Sequence, residues 1–559
     1  MLKEWYKKGR LGAPSVQKAA QTMAENGDRA TDINKLATTA KKGKFLKNAH
    51  RDVLRQMSNG SAMPEVYSTK VIMWDSDRNC QIEEEFHMLI PYEVLDAKLG
   101  QDGDAKTYTS LSADNPFRQQ RKEWIQEHRP DLSEEDVAVC GIWGDAAAFH
   151  TRDSIFMLLF NIISGLFNER MWVAAFSKRL TCQCGCAGRC TFRGLWRFMA
   201  WVSVAWASGG YPFFRDDGVA FADSELPGDR LRAQWAHAGR KMRVIGAFLQ
   251  KRGDWSWLKQ CLQFMGWAGE GLLKRCCFKC MANHTTLPFT DPSVNALWRP
   301  TEMTHLIFLQ MCFLQGLAIS PMFDILGLKF HHVDIDLMHC GDLGICLYLE
   351  GSILYELFEE MEGVYTRGAE KLGELQKLIK CAAKAVGQDR PPVNTLTMPM
   401  LRASGKSPKA KFKAAESRHM LPVIRLLLER FFPQDTPHQI LRYRCVRALD
   451  EMYKEMRKPE GEFSGAVTAK LARQHLILYA ELVKESLDSK RFQKTGWLMY
   501  RWYPKHHLFC HFERQICISG SPALNWCYMD ESAIGEAVLI AESCHPSTLH
   551  RVIIQKWRI

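Results

Sequence analysis

The sequence predicts an α/β fold, a mixed sheet interrupted by insertions and followed by a large helical insertion and a helical C-terminal region. Three observations carry this. Short apolar runs at 137–143 (VAVCGIW), 155–163 and 171–176 are rich in β-branched or bulky residues and separated by turn-like spacers, the pattern of an antiparallel meander. Two later runs, 242–249 and 328–335, read as a fourth and a fifth strand with helical stretches between them. From residue 343 the apolar period is helical almost to the end. Strands first and helices afterwards is the order of an α/β core with a helical extension.

Taken in order, residues 1–60 read as a basic arm with a weak helical pattern, and residues 61–136 as a mixed region closed by a turn or cap signal at 131–136 (DLSEED). Residues 137–435 hold the core: the meander, a Cys/Gly-rich insertion at 182–190, a Trp-rich helix near 195–207, the two later strands and helices at 343–361, 369–386 and 409–432. Residues 436–559 form the helical C-terminal region, with helices at 439–456 and 467–487. No internal repeat interrupts this order.

The bulk properties narrow the function. The chain has 559 residues, 46% hydrophobic and 24% charged, with 17 Trp and 29 Phe, which is an ordinary globular composition and excludes a disordered, collagen-like or purely coiled-coil chain. Lys3, Glu4, Lys7, Lys8 and Arg10 break the first apolar stretch, so a secretory leader is not expected. The most apolar run, 155–167, is too short for a hydrocarbon core of about 30 Å, so no membrane span is expected. The net charge is +12, and residues 1–60 contribute +8 of it through 13 basic and 5 acidic side chains. Such a patch suits a polyanion such as nucleic acid, because each cation that neutralises a phosphate releases condensed counterions. Nineteen cysteines, an odd number without a leader, favour reduced thiols and one or two metal sites over a disulfide framework.

Two acids stand at strand ends, each behind a glycine: Asp145 in CGIWGD and Asp254 in FLQKRGDW. Asp336 also follows a strand, and competes with Asp254 for the second place. Glu416 lies in the Lys-rich stretch KAKFKAAESRHMLP among Lys409, Lys411, Lys413 and Arg418. Three carboxylates from two strands and a helix are what a two-metal phosphoryl-transfer site needs, because Mg²⁺ or Mn²⁺ takes oxygen ligands and two ions stabilise the attacking and leaving oxygens. The four basic residues beside Glu416 would then hold the DNA backbone. Cys277 and Cys280 form a CxxC with no second CxxC after it. Its completing ligands could be His506 and His511 of PKHHLFCHF, with His507 beside them, or His339 of DLMH. Cys182, Cys184, Cys186 and Cys190 (CQCGCAGRC) are a denser group that could hold a second Zn²⁺.

The order of these motifs resembles that of the RNase H-fold transposases of the DDE type, especially the CACTA-like and Plavaka-like groups, over roughly residues 137–540. The run is GIWGD, then RGD ahead of a CxxC, then VDIDLMHCGDLG, then KFKAAE, then YPKHHLFCHFE with NWCYMDESAIG beyond it. The resemblance implies an RNase H-like core in which Asp145, Asp254 and Glu416 bind two divalent metals and cut and join DNA at transposon ends. It also implies Zn²⁺ on Cys277, Cys280, His506 and His511, as in the related antigen-receptor recombinase, together with an oligomeric assembly and a nuclear location to which Lys41, Lys42, Lys44 and Lys47 would contribute. Two alternatives stay open: a catalytically inactive, zinc-stabilised DNA-binding protein derived from such an element, and an RNase H-like nuclease acting on RNA or hybrids.

Overall fold

Six strands make two sheets among the described residues of the computed structural model, which are 2–558 except 9, 27–29, 40–48, 59–60, 101–102, 166–168, 227, 263–274, 315, 317 and 362–366. β1 (Tyr67–Asp75) and β2 (Cys80–Met88) form an antiparallel hairpin inside the region read only as mixed. β3 (Val137–His150), β4 (Asp153–Ile162), β5 (Arg170–Ser177) and β6 (Ile245–Arg252) form a four-stranded sheet in the order β5-β4-β3-β6. The first three are the expected meander, and β6 runs parallel to β3.

Period-two burial fixes both faces of this sheet. Val137, Val139, Ile245, Ala247 and Leu249 point to one side, where Phe117, Trp124 and Ile125 of α1 (Phe117–His128) cover them. Ala138, Cys140, Ile142 and Phe248 point into the main core, which α2 (Arg189–Ser208) enters with Trp196, Phe198 and Trp206. Covering on both faces explains why these strands are continuous apolar runs rather than alternating ones.

Two strand boundaries differ from the sequence reading. β3 does not end at Trp143 but continues through Asp145 to His150, because β4 pairs with it as far as the turn at 151–152. β6 lies three residues later than expected and ends in Gln250, Lys251 and Arg252, all buried. These polar side chains conceal a strand from an apolar pattern, and the fold accepts them because each is bonded. Gln250 Nε2 donates to Asp334 Oδ2 at 2.6 Å, Lys251 Nζ to the Arg252 carbonyl at 2.9 Å, and Arg252 Nη2 to Asn161 Oδ1 at 2.7 Å. The expected fifth strand is reduced to one parallel bridge, Lys251 to Val333, beside a 3₁₀ turn at Phe330–His332.

Helices fill the remainder: α3 (Trp255–Leu262), then after a π-helical run (Met338–Cys346) α4 (Leu347–Glu360), α5 (Gly368–Ala385), α6 (Ala414–Arg430), α7 (Pro437–Met456), α8 (Gly465–Asp488), α9 (Pro504–Phe509), α10 (Tyr528–Ala541) and α11 (Leu549–Arg558). α7 begins earlier than its apolar period because Thr436 caps it, accepting the Gln439 N–H at 3.2 Å, and Pro437 takes the first helical position. The segment 409–413 is extended, not helical: Ala410 and Phe412 are buried while Lys409, Lys411 and Lys413 are exposed. No helix among the described residues is long and apolar enough to cross a membrane.

The described residues of the basic arm form four helices, Leu2–Lys7, Ala13–Glu25, Thr31–Thr38 and Ala49–Ser58. They share a core of their own, with Tyr6, Val16, Leu36 and Val53 buried and Val552 of α11 against it. Lys41, Lys42, Lys44 and Lys47 lie outside the described residues.

One ion cluster ties the bundle together in a pH-dependent way. His438 of α7 bonds Glu356 of α4 at 3.1 Å and Glu485 of α8 at 2.6 Å. The Glu356 hydrogen bond, working against burial, raises His438 to about 9. A raised histidine stabilises the fold fully below its unfolded value of about 6.5 and ceases to do so as pH rises through 9. His438→Ala is therefore expected to lower thermal stability at pH 6 and to match wild type above pH 9.5, which melting curves across that range would check.

Candidate metal centres

The register of the sheet brings the first two acids together. The last rung between β3 and β6 pairs Trp143 with Arg252, and Asp145 and Asp254 each lie two residues beyond it. Past that rung no strand among the described residues pairs with β3 on this side, and its burial changes from complete at Gly144 to partial at Asp145. Both glycines before the acids serve one side chain, Trp257 of α3. A Cβ on Gly144 would meet the Trp257 ring at 2.0 Å, and one on Gly253 would meet it at 2.5 Å. Asp254 starts α3 as its N-cap, with Oδ1 accepting the Trp257 N–H at 2.5 Å.

The third acid is Glu531, which the sequence reading did not assign. It projects from α10, which packs across β3, β4 and β5. Its neighbour Asp530 anchors that helix to the sheet, paired with Arg170 of β5 and with Arg252 of β6 at 3.2 Å. Fixing Asp530 in the core turns the next side chain toward Asp145. One ligand atom each from Asp145, His339 and Glu531 lies within 4.8 Å of the others. Burial, and behind it the Asp254 carboxylate, push Asp145 up to about 8, and burial raises Glu531. Carboxylates held so close resist ionising together, and a divalent cation relieves that cost. The chemistry of the donor set therefore fits a metal.

Asp336 and His339 border the same site. His339 Nδ1 meets Asp336 Oδ2 at 2.6 Å, and His339 Nε2 lies 3.7 Å from Glu531 Oε1. Burial disfavours a charge on His339, but the Asp336 hydrogen bond outweighs it and raises the imidazole to about 9. Asp254, Asp336 and His339 line a cleft of about 380 Å³ together with Trp255, Phe278 and Tyr503.

Glu416 is not brought to this group. It sits in the first turn of α6, where its Oε2 accepts the Lys413 N–H at 2.8 Å and so caps the start of the helix. Its companions divide. Lys409 reaches over the Tyr348 ring at 4.9 Å, and Tyr348 lines the cleft, whereas the Arg418 guanidinium is held against Trp526 and Tyr528 at 4.7 and 4.5 Å. Arg418 thus braces the approach to α10, while Lys409, Lys411 and Lys413 remain exposed cations.

The CxxC is completed by His507 and His511, not by His506. Cys280 Sγ lies 3.2 Å from His507 Nε2, and Cys277 Sγ lies 3.5 Å from His511 Nε2. A tetrahedral Zn²⁺ with bonds near 2.3 Å to sulfur and 2.05 Å to nitrogen has S···N edges of about 3.6 Å, so the four donors fit that ion. The surroundings fit as well. The Lys279 and Ala282 N–H groups donate to the two thiols at 3.3 and 3.4 Å, and Glu302 holds His511 Nδ1 at 3.1 Å. His506 instead stacks on Tyr479 at 4.4 Å and turns its Nδ1 to the Tyr503 N–H. His507 lies in α9 and His511 in the turn that follows it, where the His511 N–H donates to the Leu508 carbonyl at 3.1 Å, and that turn sets the two rings 5.2 Å apart.

Cys182, Cys184, Cys186 and Cys190 also place their sulfurs within 4.8 Å of one another. The loop turns through Gly185 and Gly188, both at positive φ, and Gln81 of β2 donates to Cys182 at 3.1 Å and Cys190 at 3.4 Å. Four thiols at this spacing fit a second Zn²⁺.

No protein-family model matches the chain, and no curated protein is significantly similar to it.

Proposed function

We propose that the chain is a DNA transposase with an RNase H-like core, cutting and joining DNA phosphodiesters with two divalent ions held by Asp145, Asp254 and Glu531. The observation that carries this reading is that Asp145 and Asp254 each stand two residues past one rung of the sheet, near enough for the Asp254 charge to act on Asp145, with Glu531, from a helix packed across the same strands, within 4.8 Å of Asp145. The strand order β5-β4-β3-β6, with three antiparallel strands and a parallel fourth, supports an RNase H-like core. Bound there, two Mg²⁺ or Mn²⁺ ions would activate water or a 3′-hydroxyl and stabilise the leaving oxygen.

The protein's own groups do the rest. Lys409, Lys411 and Lys413 offer exposed positive charge to the phosphate backbone. The Cys277, Cys280, His507, His511 centre pins the loop carrying Phe278 to α9, which carries Lys505, so zinc there would hold two walls of the cleft together. Partners on this reading are transposon-end and target DNA and further copies of the chain, and its place is the nucleus.

The test is incubation of the zinc-loaded protein with duplex DNA and with RNA:DNA hybrid in Mn²⁺. Strand breaks and joined products on duplex DNA, with binding that weakens steeply as salt rises, are expected. Preferential cleavage of the hybrid would make the chain an RNase H-like nuclease. Salt-dependent binding with no cleavage of either substrate would make it a zinc-stabilised DNA-binding protein.

A further inference from the structure

Asp336 was a competitor for the second catalytic acid, and its surroundings give it a different task. Oδ1 accepts the N–H groups of Cys527 at 2.9 Å and Met338 at 3.2 Å, and Oδ2 accepts the His339 N–H at 3.0 Å and meets His339 Nδ1 at 2.6 Å. Both oxygens are engaged, and the residue is 4% exposed. Turning it toward a metal would forfeit four contacts. Among the described residues Asp254 makes one side-chain hydrogen bond, its cap on the Trp257 N–H.

A carboxylate on Nδ1 makes that nitrogen the donor and leaves the lone pair of a neutral imidazole on Nε2. Nε2 is the end of His339 that faces Glu531. The backbone reinforces the aim: His339 stands in the π-helical run Met338–Cys346, and its carbonyl accepts Lys505 Nζ at 2.7 Å. Wide turns of this kind recur where a helix has to present a side chain to a site.

We propose that His339 Nε2 is a nitrogen ligand to one of the metal ions at Asp145 and Glu531, that Asp336 is the positioning residue that orients it, and that this nitrogen makes the site select Mn²⁺ over Mg²⁺. The inference rests on the metal reading of the carboxylates given above. Mg²⁺ is a hard ion that takes oxygen, whereas imidazole is a ligand of first-row transition ions. Carboxylate oxygens alone suit both ions, so the nitrogen is what widens the preference.

The test uses full-length protein with zinc loaded, so that His507 and His511 are occupied, and Mn²⁺ alone as the probe. Electron spin-echo modulation of bound Mn²⁺ is expected to show ¹⁴N coupling in wild type and to lose it in His339→Ala and His339→Gln. Calorimetric titration is expected to show Asp336→Asn weakening Mn²⁺ binding by about 10- to 100-fold, the usual effect of removing a ligand's orienting partner, with a much smaller change for Mg²⁺. The wild-type spectrum decides the matter even if a variant fails to fold. Bound Mn²⁺ without nitrogen coupling overturns this inference and leaves the carboxylate reading standing, with His339 then a cation paired to Glu531. No Mn²⁺ binding at all overturns both.

Discussion

Glu531→Gln is expected to abolish metal-dependent DNA cleavage, while Glu416→Gln leaves it at the wild-type level. The substitution at 531 keeps the side chain's volume and removes one anionic ligand from a group whose donor atoms lie within 4.8 Å. Metal stabilisation of transition-state charge is worth several kcal/mol, so losing about 3 kcal/mol slows the reaction at least roughly a hundredfold. Glu416 accepts the Lys413 N–H, which a glutamine carbonyl can also accept, so Glu416→Gln is expected to cost well under about 1 kcal/mol of stability and no chemistry. Asp530→Asn should behave differently from Glu531→Gln despite adjacency in the chain. It strips a buried carboxylate from Arg170 and Arg252, and breaking such a cluster costs about 3–5 kcal/mol. Rates of strand cleavage beside melting curves for the three variants would separate these roles. Loss of activity on changing Glu416, with Glu531→Gln fully active, would return the third acid to α6.

The second large effect concerns zinc. Cys277→Ser and His507→Ala are expected to lower the bound zinc by one ion per chain and to destabilise the fold by about 4 kcal/mol or more, since loss of a structural metal is among the few single changes of that size. His506→Ala is expected to keep the full zinc content and to lose only its stacking on Tyr479. Cys184→Ser should remove the other ion without disturbing the first, because the two clusters share no ligand. Elemental analysis of the four purified variants against wild type checks all of this. A zinc content lowered by His506→Ala and unchanged by His507→Ala would contradict the ligand set.

Where the sequence was legible, local chemistry agreed with the fold. The apolar runs of the meander at 137–143, 155–163 and 171–176 carry no charge, and the two acids behind glycines stand two residues past the last rung that β3 and β6 share. β6 was displaced because Gln250, Lys251 and Arg252 are buried by partners as far away in sequence as Asp334 and Asp530. The Lys-rich stretch 409–413 carries an alternation of buried Ala410 and Phe412 with exposed lysines, a period of two that helix-forming residues obscured.

Glu531 was hidden for a related reason. Two acids stand side by side in YMDESAIG, and nothing local says that Asp530 is spent on Arg170 and Arg252 while Glu531 reaches Asp145. The choice between His506 and His507 was hidden too, because His511 lies past the end of α9, in the turn before the next helix, and it is that turn that brings its ring beside His507. The β1–β2 hairpin and the helical core of the N-terminal arm rest on contacts with distant elements, α2 and α11 among them.

The most direct test is anomalous diffraction from crystals of the zinc-loaded protein soaked in Mn²⁺, recorded at the manganese edge. Two peaks about 3.5–4 Å apart are expected, held between Asp145, Asp254 and Glu531, as two-metal phosphoryl transfer requires. Well-ordered carboxylates with no manganese between them, or manganese bound at Glu416 instead, would contradict the assignment of a catalytic centre to this end of the sheet.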